Sequence, residues 1–386
     1  MIQSSKRSKL IYSSGILLLI NACFMYKYLP RYLNDWQSFL VALVYILLVL
    51  ILVFKAGNYL KKYSSLTKTS FWILGLGFFG ISLIINLNID GQNLNIDRWS
   101  ALEAGIKAIL EGSYPYSAVD HLGGYTSNLP GLFIVGMPFY FLGDVGYLQS
   151  FTFLLTLILI FKKIASAEVR LIALLLFISS FWYVYEVVVK SDLISNTLLL
   201  ILLSGWQFQS RFREMGFVTG LLIALVLSTR LVYAIPLILY ALKPFLAQGI
   251  NEKLRFCFGV GVGLILLGIL AFIHTPSWEV FLEYNPFALQ NKQLPLVLSV
   301  LLLLIAFPVA LRIERFEQFV LASAVLCALS VTLSLLGYLI QFGFKQTIGE
   351  SIFDLTYFNI FTPFVWLYLV LQLDHYQKIK ATKNPA

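Results

Sequence analysis

The stretch from 88 to 128 holds the side chains in this sequence that are best suited to acid-base chemistry. It is the only long polar segment among nearly continuous apolar ones. Asp97 opens a short amphipathic segment there, and a carboxylate beside apolar spans is costly unless it has a use. Such a group can take a proton from an attacking hydroxyl. We therefore predict Asp97 as a general base, with Asp90, at the end of the preceding apolar run, as the alternative.

The residues after Asp97 have the spacing of a helix with one apolar face. Apolar side chains recur at Trp99, Leu102 and Ile106, and Gly112 is placed to end the helix. We expect this helix to lie along a membrane surface with its apolar face on lipid. Aspartate is also a preferred N-cap residue, so capping this helix is the competing role for Asp97.

Further polar and aromatic residues in the same stretch, and in two later segments, are suited to contact a hydroxyl-rich ligand. The predicted substrate-binding residues are Arg98, Tyr116, Asp120, His121, Tyr125, Asn128, Asp192 and Tyr284. Tyr284 belongs to a polar and aromatic loop at 274–294, and an interfacial aromatic belt would have the same composition. No clustered His and Cys set specifies a metal site, and a divalent cation is left open as a cofactor.

The composition predicts a polytopic membrane protein with an all-α helical bundle. Of 386 residues, 59% are hydrophobic and 12% charged, and the mean hydropathy is +0.83. The three cysteines fall in different apolar runs, so neither a disulfide framework nor a thiolate metal site is indicated. The net charge of +9 comes from short Lys and Arg clusters between apolar runs, which membrane topology explains without a nucleic-acid partner.

The apolar runs predict about twelve spans, because runs of about 17 to 22 residues can cross a membrane as helices. A longer run at 216–243 is divided into two spans by Arg230 and Pro236. The other predicted spans lie near 10–28, 36–54, 71–87, 145–161, 169–189, 191–208, 256–273, 295–311, 319–341 and 356–373.

The predicted organisation is a single integral membrane domain, 1–386. Two extra N-terminal spans lie within 1–70, and the segment 88–128 forms an extracytoplasmic catalytic loop. The apolar stretch 129–142 is short and interrupted by Pro and Gly, which predicts a helix inserted only halfway. The remaining spans occupy 145–373.

The charge distribution predicts which segments face outward. With these spans, 20 of the 28 Lys and Arg residues fall on one side, as cytoplasmic loops require. The stretch 88–128 then lies outside the cytoplasm, in an inner or plasma membrane. The turn 190–192 and the loops 274–294 and 342–355 lie on the same side and are expected to face one shared cavity.

The order of motifs in the polar stretch resembles the first extracytoplasmic loop of the GT-C glycosyltransferases, which are polytopic enzymes. Asp97 is followed by the helix ending at Gly112, then by Pro115 and Tyr116, then by the Asn-Leu-Pro-Gly entry at 128–131. This order is similar to the branch of mannosyltransferases that depend on polyprenyl-phosphate mannose.

The resemblance covers about residues 85 to 270. It continues at the Lys-Ser-Asp turn 190–192 and along the Gly-rich segment from Gly216 to Arg230. The chain departs from the family in having two spans before the expected first one, Arg230 where Lys is usual, and one Pro where the family has two. These departures leave the subfamily and the substrate open.

The resemblance implies an inverting hexosyl- or pentosyltransferase. Its donor would be a polyprenyl-phosphate sugar and its acceptor a hydroxyl on a lipid or glycan, among membrane lipids. Positive charge is needed where the departing phosphate gains negative charge, so Arg230 and then Lys190 are the predicted phosphate ligands. Snorkelling of single charges at span ends is the competing role for both. No Gly-rich phosphate loop for a nucleotide sugar is present.

Two functions of other kinds are the alternatives. A transporter or flippase of a lipid-linked glycan would show related halves and ionisable residues inside spans. We find no convincing internal repeat, and Glu186 and Arg230 are the main ionisable residues inside spans. A glycan polymerase or ligase would carry a large Arg-rich late loop, whereas the loops at 274–294 and 342–355 are modest.

Overall fold

The computed structural model describes residues 2–208, 210, 215–291 and 294–383. Within these ranges the chain is largely helical and forms no β-strand, so the all-α expectation is confirmed. Val119 and Tyr125 make one isolated antiparallel bridge. Three residues that entered the charge distribution, Arg211, Arg213 and Lys292, lie outside the described residues.

The α-helices of the described residues are numbered here in chain order. They are α1 (Ile2–Tyr28), α2 (Asp35–Ile51), α3 (Gly57–Lys61), α4 (Ser64–Asn88), α5 (Arg98–Leu110), α6 (Pro130–Phe141), α7 (Tyr147–Lys163), α8 (Ala167–Ile178), α9 (Phe181–Val188), α10 (Leu193–Gln207), α11 (Phe217–Leu227), α12 (Ala234–Ala247), α13 (Ile250–Phe272), α14 (Trp278–Glu283), α15 (Pro286–Asn291), α16 (Leu296–Leu311), α17 (Phe316–Phe344) and α18 (Thr362–Lys383).

Five helical segments of the described chain are long and apolar enough to cross a membrane, and the number rises to seven if each of two bent helix pairs is one span. The chain is therefore an integral multi-pass membrane protein. The expected twelve crossings are not confirmed. Several predicted spans form helices of 10 to 17 residues, α10 and α11 among them, whereas a crossing takes about 20 residues.

The long apolar run at 216–243 is broken at Arg230, as its sequence predicts. The helix α11 ends at Leu227, and Leu231–Tyr233 make a single 3-10 turn before α12 begins. Arg230 itself has extended backbone angles, φ −156° and ψ 139°. Pro236 lies in the first turn of α12, where its missing N–H is not needed. The break places the Arg230 side chain between two short apolar helices.

The apolar face of α5 packs on protein, contrary to the expectation that it lies on lipid. Trp99, Leu102 and Ile106 are buried in a cluster with Phe133 of α6. The two helices approach closely at Gly105, where an added Cβ would lie 2.3 Å from the Phe133 ring. The amphipathic pattern predicted the buried face correctly, but α6 covers it in place of lipid.

The helix α5 stops at Leu110, and Gly112 turns the chain away as its sequence predicts. Gly112 has a φ of +70°, a left-handed conformation that glycine adopts without a steric penalty. Its N–H donates to the carbonyl of Ile109 at 3.2 Å, and the N–H of Ser113 donates to the carbonyl of Ala108 at 2.8 Å. This pair of bonds is a Schellman motif, which satisfies the last helical carbonyls.

The segments predicted to lie in the cytoplasm contact one another at one end of the bundle. The Lys380 ammonium donates to the Asn58 side chain at 2.9 Å, and the Asp374 carboxylate accepts from the N–H of Ser166 at 3.1 Å. Lys243 pairs with Glu314 at 3.4 Å. We call this end the basic end. The segments predicted to face outward meet at the other end, which carries the candidate site and which we call the loop end.

Candidate functional site

Four separate segments meet at the loop end, as their shared orientation predicts. Arg98 pairs with Asp354 at 2.6 Å, which joins the stretch 88–128 to the loop 342–355. The Gln290 amide donates to the carbonyl of Ser127 at 2.7 Å, which adds the loop 274–294. The Arg230 guanidinium reaches Asp192 of the turn 190–192 at 2.7 Å.

Asp97 occupies the N-cap position of α5, but its side chain does not cap the helix. The residue is exposed, and its carboxylate makes no hydrogen bond or ion pair with the described residues. Its backbone is well held, because its carbonyl accepts from the N–H of Ala101 at 2.7 Å and from the Ser100 hydroxyl at 3.0 Å. The competing capping role is therefore not realised.

His121 ties the loop to the start of α5. One ring nitrogen donates to the carbonyl of Leu94 at 2.8 Å, and the other lies 2.5 Å from the Ser100 hydroxyl. Because both nitrogens are engaged by protein, His121 serves to position the segment that carries Asp97. The predicted contact of His121 with a substrate is not supported by this arrangement.

Arg230 and Asp192 form a buried ion pair between the start of α10 and the break before α12. Arg230 is 6% exposed and Asp192 is 3% exposed. The Arg230 guanidinium also donates to the Asn128 side chain at 3.4 Å, and the Asn196 amide donates to Asp192 at 2.6 Å. Among the described residues, Nε of Arg230 and Oδ1 of Asp192 have no hydrogen-bond partner. Three predicted site residues, Asn128, Asp192 and Arg230, are thus in contact, and two of them keep a polar atom that can still form a hydrogen bond.

Arg230 lies at the polar end of an apolar cavity between α12, α16 and α17. The cavity has a volume of about 290 Å³, and its lining includes Ser127, Arg230, Gln290, Leu302, Val331 and Tyr357. We call it the apolar cavity. Its size suits a small ligand or the first units of a lipid tail. An apolar chamber with one guanidinium at its end can hold an amphiphile with an anionic head.

Lys190 lies away from the apolar cavity. It pairs with Asp144 through a short contact and lines a second, polar cavity of about 390 Å³. Asp90 and Glu103 line the same cavity, which we call the polar cavity. Lys190 adopts a left-handed φ of 53° and is 5% exposed, so its ammonium is held in place. Lys190, the second-choice phosphate ligand, lines a different cavity from Arg230, the first choice, and is already paired with Asp144.

Arg98 links the start of α5 to the wall of the apolar cavity. Its guanidinium lies 5.1 Å from the ring centroid of Tyr357 and donates to the Thr356 hydroxyl at 2.9 Å. Burial would raise the pKa of Asp354, but the adjacent Arg98 charge and hydrogen bonds from Thr356 hold that pKa below its ordinary value. Arg98 is therefore already paired with Asp354 and connects the stretch 88–128 to the loop 342–355.

The other predicted ligand contacts separate into buried and accessible groups. Asp120 makes a tight turn, since one oxygen accepts from the N–H groups of Leu122 at 2.8 Å and Gly124 at 3.0 Å. Tyr116 is fully buried, and its ring stacks on Phe272, so the predicted substrate contact is not supported.

Tyr125 and Tyr284 form an accessible aromatic pair at the loop end. Their ring centroids lie 4.7 Å apart, and Tyr125 is 45% exposed. Aromatic faces of this kind can stack on a sugar ring, and the substrate contact of both residues stays a prediction.

Three contributors to the site were not singled out from the sequence. Asp354 and Gln290 lie in loops that the charge pattern assigned to the same side as the stretch 88–128, but nothing in their spacing distinguished them. Asp144 follows the helix α6 and gives no motif signal. Gln290 is the most informative, because its carbonyl oxygen accepts from the N–H of Leu231 at 2.8 Å and so fixes the turn beside Arg230.

No group of three or more His, Cys, Asp or Glu side chains in the described ranges is arranged to hold a metal ion. Comparison with protein families, curated proteins and solved structures finds no match to this chain. The geometry of the loop end therefore carries the functional interpretation.

Proposed function

We propose that this chain is a membrane glycosyltransferase that moves a sugar from a polyprenyl-phosphate donor to a hydroxyl of a lipid- or glycan-linked acceptor. The observation that carries the proposal is the apolar cavity with the unpartnered Nε of Arg230 at its polar end. A buried donor without a partner costs free energy, which a bound anionic head would recover.

The reaction would proceed as a single displacement that inverts the anomeric carbon. The acceptor oxygen forms a bond to that carbon while the bond from the carbon to the phosphate oxygen breaks. The acceptor proton passes to the free carboxylate of Asp97, and the leaving phosphate keeps the electron pair beside Arg230. In support, Arg98, which follows Asp97, contacts Tyr357, and Tyr357 lines the same cavity as Arg230.

The donor tail would enter the apolar cavity with its first units and continue into the bilayer. Leu302 and Val331 offer apolar contacts along the wall, and Tyr357 lies near the start of α5. The exposed Tyr125 and the half-buried Tyr284 form an aromatic pair that could stack on a sugar. The active site would then face away from the cytoplasm, as the Lys and Arg distribution predicts.

The proposal is tested by offering purified protein in nanodiscs a panel of hexosyl- and pentosyl-polyprenyl phosphates with a mixture of glycolipid acceptors. Release of polyprenyl phosphate that depends on an acceptor is the expected result. The absence of release from every donor in the panel would contradict the proposal.

The broken run at Arg230 favours a second candidate function, a flippase for a lipid-linked glycan. Transporters place polar groups where two half-helices meet, and α11 and α12 meet in this way. A fluorescent lipid-linked glycan in proteoliposomes separates the two functions. Movement between leaflets without chemical change of the lipid would support the flippase.

A further inference from the structure

The polar cavity is a second chamber at the loop end, separate from the apolar cavity. The two cavities share no lining residue. The polar cavity is formed where the end of α4 meets α5 and the start of α7, and its lining includes Asn86, Asp90, Trp99, Glu103, Asp144 and Lys190. Its composition is far more polar than that of a lipid-tail chamber.

Two side chains in its wall carry polar atoms that lack partners. Asn86 is 4% exposed and Trp99 is 7% exposed, so both are more than nine-tenths buried. Within the described residues, the Asn86 carbonyl oxygen and the Trp99 indole nitrogen make no hydrogen bond. One acceptor and one donor without hydrogen-bond partners, beside the same cavity, are typical of a ligand-binding site without its ligand.

The wall is closely fitted around these two side chains. A Cβ added at Gly146 would lie 2.1 Å from the Asn86 amide nitrogen, and one added at Gly91 would lie 2.3 Å from the Trp99 ring. Each glycine therefore allows backbone to pass directly against the side chain. The two groups are held rigidly, as a binding site requires.

The charges of the cavity disfavour an anionic ligand. The ammonium of Lys190 is neutralised by Asp144, which leaves the carboxylates of Asp90 and Glu103. Asp90 accepts from the N–H of Gln92 at 3.0 Å and from the Asn93 amide at 2.9 Å. Glu103 makes no hydrogen bond or ion pair with the described residues and stays available to a ligand. Burial, with the nearby Asp144 carboxylate, raises the pKa of Glu103.

This set of groups matches the chemistry of hydroxyls. A hydroxyl donates one hydrogen bond and accepts others, so it can satisfy a carboxylate or amide oxygen and an indole N–H together. A sugar presents several such hydroxyls on one rigid ring. The half-buried Glu103 and the unpartnered Asn86 oxygen offer two acceptors, and Trp99 offers the donor.

We propose that the polar cavity binds the sugar headgroup of the acceptor, as a chamber distinct from the one that holds the donor lipid. That the bound sugar belongs to the acceptor rests on the proposed function, whereas the assignment of a neutral sugar rests on the cavity alone. The start of α5 connects the chambers, since Arg98 contacts Tyr357 of the apolar cavity and Trp99 lines the polar one. Asp97 directly precedes Arg98 in the chain, at the N-cap of the same helix.

The test measures sugar binding without turnover. Full-length protein in nanodiscs is titrated with the methyl glycosides of glucose, mannose, galactose and N-acetylglucosamine, and saturation-transfer NMR reports binding. At least one glycoside should bind the wild-type protein. Glu103→Gln should weaken that binding about tenfold or more, because a hydrogen bond to a charged group is lost. Asn86→Leu should abolish the signal.

Glu111→Gln is the matched control, because Glu111 follows the same helix, is exposed, and does not line the cavity. It should bind the glycoside as wild type does. Thermal melts check folding, and Glu103→Gln should melt no lower than wild type because burial disfavours the charged form of Glu103. A signal lost from a protein that melts normally supports the inference.

Two results would overturn the inference. One is that no methyl glycoside binds the wild-type protein, and the other is that binding survives unchanged in both cavity variants. The donor assay keeps this outcome separate from that of the proposed function. Donor turnover without glycoside binding would contradict only the proposed sugar site. If the wild-type protein binds a glycoside, the cavity variants do not, and no donor is turned over, the proposed transferase activity is contradicted and the sugar site is supported.

Discussion

The Arg230 guanidinium donates a hydrogen bond of 2.7 Å to the Asp192 carboxylate at the polar end of the apolar cavity. The two residues lie 38 positions apart in the chain and join the start of α10 to the break between α11 and α12. Both side chains are more than nine-tenths buried. A buried ion pair has two separable effects, since it holds two helices together and also presents a guanidinium to a ligand.

Arg230→Gln should destabilise the fold by roughly 3–5 kcal/mol, because it leaves the Asp192 charge buried without its partner. Chemical unfolding in detergent micelles measures the loss. The double variant Asp192→Asn with Arg230→Gln should recover much of it, since both charges are then absent. A double variant as unstable as Arg230→Gln alone would show that the pair is not the source of the loss.

Polyprenyl phosphate should raise the melting temperature of Asp192→Asn more than that of the wild-type protein. In this variant the Arg230 guanidinium has lost its carboxylate partner, and the lipid phosphate can replace it. The double variant of Asp192 and Arg230 should show no shift, and polyprenol without phosphate serves as the ligand control. Equal shifts in all three proteins would exclude Arg230 from phosphate binding.

Asp97→Asn should abolish sugar transfer and leave stability within about 0.5 kcal/mol of wild type. The reason is that the exposed Asp97 carboxylate makes no hydrogen bond or ion pair with the described residues, so the fold does not depend on its charge. Release of polyprenyl phosphate and a thermal melt are measured side by side. Glu111→Gln, at the C-cap of the same helix, should keep both. Transfer at the wild-type rate in Asp97→Asn would remove the residue from the role of base.

Much of the loop end could be predicted from the sequence because polar residues are rare in this chain. Asp192 and Arg230 stand out against apolar surroundings, and the charge distribution places Asp192 on the same side as Asn128. The helix α5 and its end at Gly112 follow from spacing and from the tolerance of glycine for a left-handed φ. These features are local, so local patterns are enough to find them.

The remainder depends on tertiary contacts that no local pattern encodes. Periodicity showed which face of α5 is apolar, but not that α6 covers it. Arg98 and Asp354 lie 256 positions apart, and neither sequence context points to the other. The expected number of spans is not confirmed for a related reason. An apolar run reads alike whether it crosses lipid or forms a short helix packed inside protein, as α10 does.

A cysteine placed at Ser113 should react with a membrane-impermeant maleimide added to intact cells, and one placed at Ser65 should react only after lysis. Both positions are exposed, and they belong to segments assigned to opposite sides by the Lys and Arg distribution. The native cysteines Cys23, Cys257 and Cys327 are replaced by serine or alanine in the background. The reverse labelling pattern would overturn the orientation and place the loop end in the cytoplasm.

Acid should remove the stabilising contribution of the Arg98 and Asp354 pair. The pKa of Asp354 is lowered in the folded protein, so its contribution is present above the ordinary aspartate pKa of about 3.9 and is lost as pH falls through the lowered value. The melting temperature of wild type should therefore exceed that of Asp354→Asn at neutral pH, and the difference should shrink as the carboxylate protonates. A difference that stays constant down to the lowest pH would contradict the assignment.

Gly131→Ala should destabilise the protein by about 1–3 kcal/mol through overpacking and should weaken the response to polyprenyl phosphate. The N–H of Gly131 donates to the carbonyl of Ser228 at 2.7 Å, and an added Cβ would lie 2.2 Å from the carbonyl oxygen of Leu225. Both partners are backbone, so the strain must move the end of α11 and, with it, Arg230.

Gly136→Ala, on the same helix, is the matched control for Gly131→Ala. Its added methyl would meet only the side-chain ends of Leu102 and Ile106 at 3.0 to 3.3 Å, and those ends can give way. Alanine also favours a helix interior over glycine, so this variant should stay near wild-type stability. Chemical unfolding and the lipid-induced thermal shift compare the two variants. If they behave alike, the contact of α6 with the end of α11 does not hold Arg230 in place.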